Sequence, residues 1–361
     1  MDALERAYVA LLRAAPREPT LDEIRVHLNG VEVTNLEGRV ARIASQRAIL
    51  QNMLKNPGIE QRTPDWYAAR DELLTASDLG QALNRGKFGN RSQLLVKKVT
   101  RVAMKEPGPG EFNPFKHGRI YETIALQLYQ QHLRSDDTGA PLLPVHEFGL
   151  LRHPNLRCFG ASPDGVTELG VMLEIKCPFI RKINGEIAEQ YYIQMQGQME
   201  VADLDDCDFC EVELDTDVYM DLRDMEADVG TPWDQKGIVV ADEADAVFDY
   251  SPPGADADGL RAYLTGVGID PRFIITNKRV RMWRQRKILV QRVTRDRAFW
   301  AVTVPFISAF WADVEAGRVA MASPEGWNPD AGKKKRATPV RRKKTELGSS
   351  TTFPEDVFGG V

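Results

Sequence analysis

Asp164 stands ten residues before Glu174, with Lys176 two further on, inside the run FGASPDGVTELGVMLEIKCPF from Phe159 to Phe179. Asp164 falls in a Pro-Asp-Gly turn. The stretch GVMLEIKCP reads as a strand with Glu174 and Lys176 on one face and Leu173 and Ile175 on the other. A hairpin reversing near Leu169-Gly170 brings Asp164 almost opposite Glu174. Two carboxylates with an amine beside them suit a divalent metal and phosphodiester hydrolysis. Magnesium needs an octahedral oxygen shell, which two carboxylates, a strand carbonyl and waters supply; the ammonium orients the nucleophile or stabilises the pentavalent state. On spacing alone the same three residues also fit a surface salt-bridge cluster, because Pro-Asp-Gly and Glu-x-Lys are each common.

The elements that must hold these residues are readable in outline. Residues 1–60 give a helical lead-in, with an apolar stretch from Leu4 to Leu12 and a helical pattern through Leu36, Val40, Ile43, Leu50 and Leu54 that Pro57-Gly58 ends. Thr63-Pro64-Asp65 caps a helix through Trp66, Ala69 and Leu73, and Ser77 is the expected N-cap of another from Asp78 to Leu83, a helix start that suits a phosphate. A helix from Lys116 to Leu133 carries Glu122 off its apolar side, near its N-terminal end. Strands are expected at Val145 to Leu150, Leu156 to Ala161 and Phe209 to Leu214, and a helix from Glu186 to Val201 bears a parallel amide stripe of Gln190, Gln194 and Gln198. Arg272 to Ile275, Val280 to Trp283 and Ile288 to Val293 read as basic-edged strands before a helix from Asp296 to Glu315 that Pro305 kinks or splits.

At 361 residues and 43% hydrophobic, the chain can bury one substantial core. No apolar run spans a bilayer and the N-terminus lacks secretory order, so a non-membrane, intracellular protein is expected. Four cysteines are too few for a disulfide scaffold; Cys207-x-x-Cys210 is a weak metal signal, with buried small residues the default. The net charge of −5 hides an uneven distribution. Asp203 to Asp234 holds thirteen acidic residues against one basic, and Arg261 to Arg297 eleven basic against two acidic. One segment would repel a phosphate backbone and the other could track it, unless both are solvated faces. Arg279, Arg281, Arg284, Arg286 and Lys287, interleaved with Trp283, are the expected DNA-backbone contacts. Residues 203–260 read as an acidic, low-information insertion, mobile from Ala241 to Gly259. The tail 323–361 reads as disordered, with basic runs Lys333 to Arg336 and Arg341 to Lys344 that fit a nuclear-import signal, a DNA-binding tail or a solubilising tail.

The hairpin resembles the PD-(D/E)xK nuclease signature, and its flanks resemble the lambda-type phage exonucleases and YqaJ-type viral recombinase nucleases. SPDG followed by LEIKCPF carries the likeness, and YYIQMQGQM, Tyr191 to Met199, is similar to the family's next helix. HGRIYE resembles its Gly-x-x-x-Glu helix, WYAARDELLTASDLG its N-terminal motif, and ILVQRVTRDRAFW with FISAFWADV its closing strand and helix. The resemblance implies a restriction-endonuclease-like α/β core with a central mixed sheet flanked by helices, within a nuclease domain over 61–322. It implies that Asp164 and Glu174 bind Mg2+ (or Mn2+) with the Ile175 carbonyl, that Lys176 is the catalytic lysine, and that Gln194 lies near the nucleophilic water. Glu122 maps at or near a second metal position, and Arg70 and Ser77 onto the residues holding a terminal 5′-phosphate; Gln196 belongs to the same motif without an assigned role.

The activity so implied is hydrolysis of linear double-stranded DNA in the 5′-to-3′ direction, leaving 3′ single strands for recombination or repair. The partners are duplex DNA with free ends, a single-strand annealing recombinase and further copies of the chain, a toroidal trimer in the phage relatives. An endonuclease or broad alkaline nuclease of the same fold, or a non-catalytic DNA-binding or assembly protein, are the alternatives. A viral or phage setting is implied; the basic tail points to a host nucleus if the protein is viral, and otherwise the cytoplasm is expected.

Overall fold

In a computed structural model, residues 1–87, 89–102, 114–132, 144–216, 218–242, 247–277 and 279–322 are described. Capping boxes at Asp2 and Thr20 start α1 (Ala3–Ala14) and α2 (Leu21–Leu28), each cap side chain accepting from the backbone three residues on while Glu5 or Glu23 reaches back. The long α3 (Leu36–Met53) follows. These helices are tied to the hairpin that carries Asp164 and Glu174. Buried Arg47 pairs with Glu18 at 2.8 Å and with Glu168 at 3.2 Å, and also donates to the Glu168 carbonyl. Gly170 turns that hairpin with φ +73°, and a Cβ there would lie 2.7 Å from Gln46.

Thr63 caps α4 (Pro64–Asp71) by accepting from Trp66 N, with proline in the first turn. After β1 (Leu74–Thr75), α5 (Ala76–Ala82) begins earlier than expected. Thr75 takes the N-cap position, and Ser77 falls inside the first turn instead of capping it. The reason is local: the Thr75 hydroxyl turns to the Ser77 hydroxyl at 3.0 Å and to the Asp78 carboxylate at 3.1 Å. Next come α6 (Arg91–Thr100) and α7 (Pro114–His132).

The strands β2 (Val145–His146), β3 (Leu151–Arg152), β4 (Phe159–Ala161), β5 (Gly165–Thr167) and β6 (Met172–Lys176) precede α8 (Glu189–Ala202). The strand expected over Val145 to Leu150 therefore covers only β2, and Leu150 makes a lone bridge to Ile59. Then follow β7 (Asp206–Asp215), α9 (Leu222–Ala227), β8 (Lys236–Ala241), β9 (Phe248–Tyr250), α10 (Ala257–Gly266), β10 (Val280–Thr294) and α11 (Arg297–Met321).

Seven strands form one mixed sheet in the order β2-β5-β6-β7-β10-β8-β9, and β1-β4-β3 form a smaller one. β5 and β6 are an antiparallel hairpin, whereas β6 and β7 are parallel and joined by the crossover helix α8. One face of the sheet packs Leu173, Ile175 and Val212 under Ile120, Tyr121 and Ile124 of α7. The other packs Met172 and Phe209 under Met195 and Met199 of α8. The mixed α/β architecture is the one expected.

The segment 203–260, read as an insertion, supplies the central strand β7, whose pairing with both β6 and β10 buries most of it. The mobile reading of Ala241 to Gly259 gives way to β9 paired on β8 and the start of α10, residues 243–246 lying outside the description. Arg272 to Ile275 is part of a 3-10 turn, Pro271–Thr276, because Pro271 follows the Asp270 cap. The two strands expected near Trp283 and Val290 are the single strand β10, which pairs with β8 through Arg284 and with β7 from Arg284 onward and absorbs one extra residue between Gln285 and Lys287 as a bulge. α11 runs on through Pro305 to Met321. The expected disordered tail and its two basic runs lie outside the described residues, and among those described no helix is long and apolar enough to cross a membrane.

Candidate active site

The register Gly165 opposite Leu173 sets Asp164 beside Glu174 and Ile175 at the open end of the hairpin. Asp164 Oδ2 accepts from Ile175 N at 2.7 Å. Strand alternation turns Glu174 to the α8 side, where its fully buried carboxylate accepts from Gln194 Nε2 at 2.7 Å on Oε1 and from Gln198 Nε2 at 2.8 Å on Oε2. Lys176, on the same face, completes the set with a short ion pair to Glu174 Oε1.

Burial pushes the Asp164 carboxyl well above its ordinary range, and the neighbouring charges of Glu174 and Glu122 push the same way. Burial works against the Lys176 ammonium, but Glu174 and Asp164 outweigh it and raise its pKa. Glu122, on α7, is raised by burial against the pull of Arg62 and Lys176. Its carboxylate faces Arg62, whose Nη2 lies 3.0 Å from each of its oxygens. Glu122, Asp164 and Ile175 share a cleft of about 350 Å³ with Arg62 and Phe148.

Asp164, Glu174 and the Ile175 carbonyl offer a hard oxygen donor set, and the negative charge of Glu174 and Glu122 crowded against Asp164 is one that a cation would relieve. Among the described residues no three His, Cys, Asp or Glu side chains form a metal set by themselves, so that carbonyl and water or substrate oxygens would have to complete the shell. Magnesium fits on those terms.

The structure also brings Arg70 and Ser77 together: Arg70 Nη2 donates to Ser77 Oγ at 3.3 Å, and its guanidinium lies 4.3 Å above the Trp66 ring. Trp66 Nε1 donates at 3.0 Å to the hydroxyl of Ser162, two residues before Asp164, which connects the pair to the β5–β6 hairpin. Beneath them the buried Lys98 ammonium donates to the Arg70 carbonyl at 2.8 Å and pairs with Asp78 at 3.0 Å. Burial works to raise the Asp78 pKa, but Lys98, Lys97 and Arg70 prevail and hold it at about 2.

The expected DNA-backbone residues are placed differently from a free basic track. Antiparallel pairing lays basic β10 beside acidic β7, so Arg284 pairs with Asp215 at 2.8 Å and Asp228 at 3.2 Å, and Arg286 with Glu213 at 3.3 Å. Arg279 donates to the Ala241 carbonyl at 2.8 Å, Lys287 to the Ile183 carbonyl at 2.9 Å, and Arg281 lies 5.9 Å from the Phe248 ring centre. The separate repelling and tracking segments are thus adjacent strands that neutralise one another. Gln196 donates to the Thr294 carbonyl at 3.0 Å and accepts from Asp296 N at 2.6 Å, which ties α8 to the start of α11.

Cys207 and Cys210 fall on opposite faces of β7, one in the core under α8 and the other in the core under α7, so the pair cannot chelate one ion. Sequence reasoning missed Gln198 as a site residue although its four-residue spacing from Gln194 was visible. It gave no signal for Arg62, whose placement against Glu122 depends on a turn conformation.

Residues 65–205 match the family described as YqaJ-like viral recombinase domain. An uncharacterized protein of Acanthamoeba polyphaga mimivirus is 28% identical over 262 residues, which are 65% of this chain and 44% of that protein, so the chain spans less than half of its relative. An alkaline exonuclease from Laribacter hongkongensis aligns in structure with a TM-score of 0.42 at 23% identity, over 70% of this chain and 93% of that one. A phage related exonuclease from Haemophilus somnus 129PT aligns with a TM-score of 0.39 at 13% identity, over 69% and 96%. Arg70, Ser77, Glu122, Asp164, Glu174, Lys176 and Gln194 all lie inside the matched span, residues 65–205.

Proposed function

We propose that the protein is a magnesium-dependent deoxyribonuclease that resects linear duplex DNA from its 5′ ends, leaving 3′ single strands for an annealing recombinase. The observation that carries this reading is the Glu174 carboxylate, buried and held by Gln194, Gln198 and Lys176 next to Asp164 at the edge of an open cleft. Asp164, Glu174 and the Ile175 carbonyl would hold a magnesium or manganese ion, which would supply a water of lowered pKa and neutralise charge at the phosphate.

The chain's own residues divide the remaining work. The two amides fix the plane of Glu174, so its carboxylate needs no reorganisation as charge develops. Lys176, paired with Glu174 on the same strand face, is placed to set positive charge against the negative charge that develops on the phosphate. Arg70 and Ser77 bind a terminal 5′-phosphate, the guanidinium kept in place by the Trp66 ring. The viral family of residues 65–205 supports a role in viral DNA recombination or repair.

The test compares linear duplexes with 5′-phosphate or 5′-hydroxyl ends and covalently closed circles, each with magnesium or with EDTA. Degradation restricted to linear DNA, faster from 5′-phosphate ends and abolished by EDTA, is expected. Efficient cutting of closed circles would replace the end-directed reading with an endonuclease. Absence of hydrolysis on every substrate and metal would leave only a binding protein.

A further inference from the structure

We propose that Arg62 is a contact for the DNA phosphate backbone, held on Glu122 until a substrate strand enters the cleft. The inference rests on the nuclease reading above and adds a residue outside the matched span 65–205. Three observations support it. The cleft is lined by Glu60, Glu122, Glu147 and Asp164, and among its described lining residues Arg62 is the only base. A polyanion entering so acidic a space requires cationic groups on the protein as well as any bound metal.

The second observation is how Arg62 is held. Its backbone has φ +68°, a left-handed conformation that a side chain other than glycine's seldom adopts and that is found disproportionately at functional sites. Neighbouring bonds fix that backbone. Gln61 Nε2 donates to the Phe148 carbonyl at 2.8 Å and to the Pro163 carbonyl at 3.3 Å, and Thr63 Oγ1 donates to the Glu60 carbonyl at 2.8 Å. Pro163 adjoins Asp164, so the turn that presents Arg62 is fastened to the catalytic hairpin itself.

The third observation is the geometry of the ion pair. Arg62 uses one nitrogen, Nη2, for both oxygens of Glu122, and no other partner of its guanidinium is found among the described residues. Glu122 therefore engages one nitrogen of the guanidinium and not the two-nitrogen fork that matches a phosphate. The side chains are 49% and 37% exposed, a setting in which an ion pair is weak and easily exchanged. Transfer of the guanidinium from Glu122 to a phosphate oxygen keeps Arg62 paired and frees the Glu122 carboxylate beside Asp164.

The test is equilibrium binding of a fluorescent, 5′-phosphorylated linear duplex in EDTA, where no turnover is expected, across a range of salt. Arg62→Gly accepts the left-handed backbone and removes the side chain with its charge, and Arg62→Lys keeps a point charge. Arg62→Gly should bind about tenfold more weakly and lower the slope of log K against log salt by about one, while Arg62→Lys keeps the slope. Thermal melting checks that both variants fold. Unchanged affinity and slope in folded Arg62→Gly overturns the proposal, as does loss of cleavage with an unchanged slope, which would confine Arg62 to acting through Glu122. If wild type neither binds nor degrades linear duplexes, the nuclease reading fails and this proposal with it. If wild type degrades them and Arg62→Gly matches it in binding, only the role of Arg62 fails.

Discussion

Replacing Gln198 with leucine should separate catalysis from stability. Gln198 is 2% exposed, and its Nε2 donates to Glu174 Oε2 at 2.8 Å. Its Oε1 is buried without a hydrogen-bond partner. Turning the amide over would set oxygen against the Glu174 carboxylate, so the orientation is fixed by charge. Gln198→Leu removes a hydrogen bond to a charged group, worth about 1.5–3 kcal/mol, and also removes a buried unsatisfied acceptor that costs about 1–3 kcal/mol. The second partly offsets the first, but Glu174 Oε2 is left buried without its donor, so the loss of unfolding free energy should stay within ~3 kcal/mol. Catalysis has no such compensation. Glu174 keeps Gln194 on Oε1 but is free to rotate on Oε2, and loss of a group orienting a metal-binding carboxylate costs about 10–100-fold in affinity or activity. Urea unfolding of the metal-free protein and initial rates of nucleotide release in magnesium measure the two quantities. A rate within about twofold of wild type, or a stability loss above ~3 kcal/mol, refutes the reasoning.

Arg70→Ala should lower the preference for 5′-phosphate over 5′-hydroxyl ends by about 10–100-fold, the worth of a charged hydrogen bond, and an unchanged ratio of initial rates counts against the end pocket. Asp164→Asn should stabilise the metal-free protein at pH 8. A carboxyl whose folded pKa is raised gives stability that is full below its ordinary value of 3.8 and is lost as pH rises through the folded pKa, and asparagine mimics the protonated form. The thermal melting gap should close toward pH 4, magnesium should raise the midpoint of wild type only, and a less stable variant at pH 8 contradicts the burial argument. Arg47→Ala should cost ~2 kcal/mol in urea unfolding, less than a fully buried pair because Glu18 is half exposed; a change below ~0.5 kcal/mol would mean that the lead-in helices do not depend on that junction.

The hairpin was legible because its chemistry is local: strand alternation sends Glu174 and Lys176 to one side, and Gly170 reverses the chain two residues before β6. The same logic placed α8 and its glutamines, whereas the pairing of Arg70 with Ser77 rested on the resemblance of WYAARDELLTASDLG to the family's N-terminal motif. What escaped depended on contacts distant in sequence. The acidic run after Asp203 looked like an insertion because its charges are obvious, while its partners, the arginines of β10, lie about seventy to ninety positions later. Val280 to Trp283 and Ile288 to Val293 looked like separate strands because a bulge interrupts their pattern. Arg62 was invisible because a positive φ at an arginine has no sequence signature, and Thr75 displaced Ser77 as the cap through bonds among three neighbouring side chains.

The most direct measurement is release of nucleotides from a 5′-phosphorylated linear duplex by wild type and by Lys176→Ala, both in saturating magnesium, with binding of the same duplex recorded in EDTA. We predict that wild type degrades the duplex and that Lys176→Ala, which removes charge stabilisation in the transition state, loses turnover by at least about a hundredfold while keeping most of its affinity. Equal rates for the two proteins would contradict the assignment of Asp164, Glu174 and Lys176 as the cleavage centre.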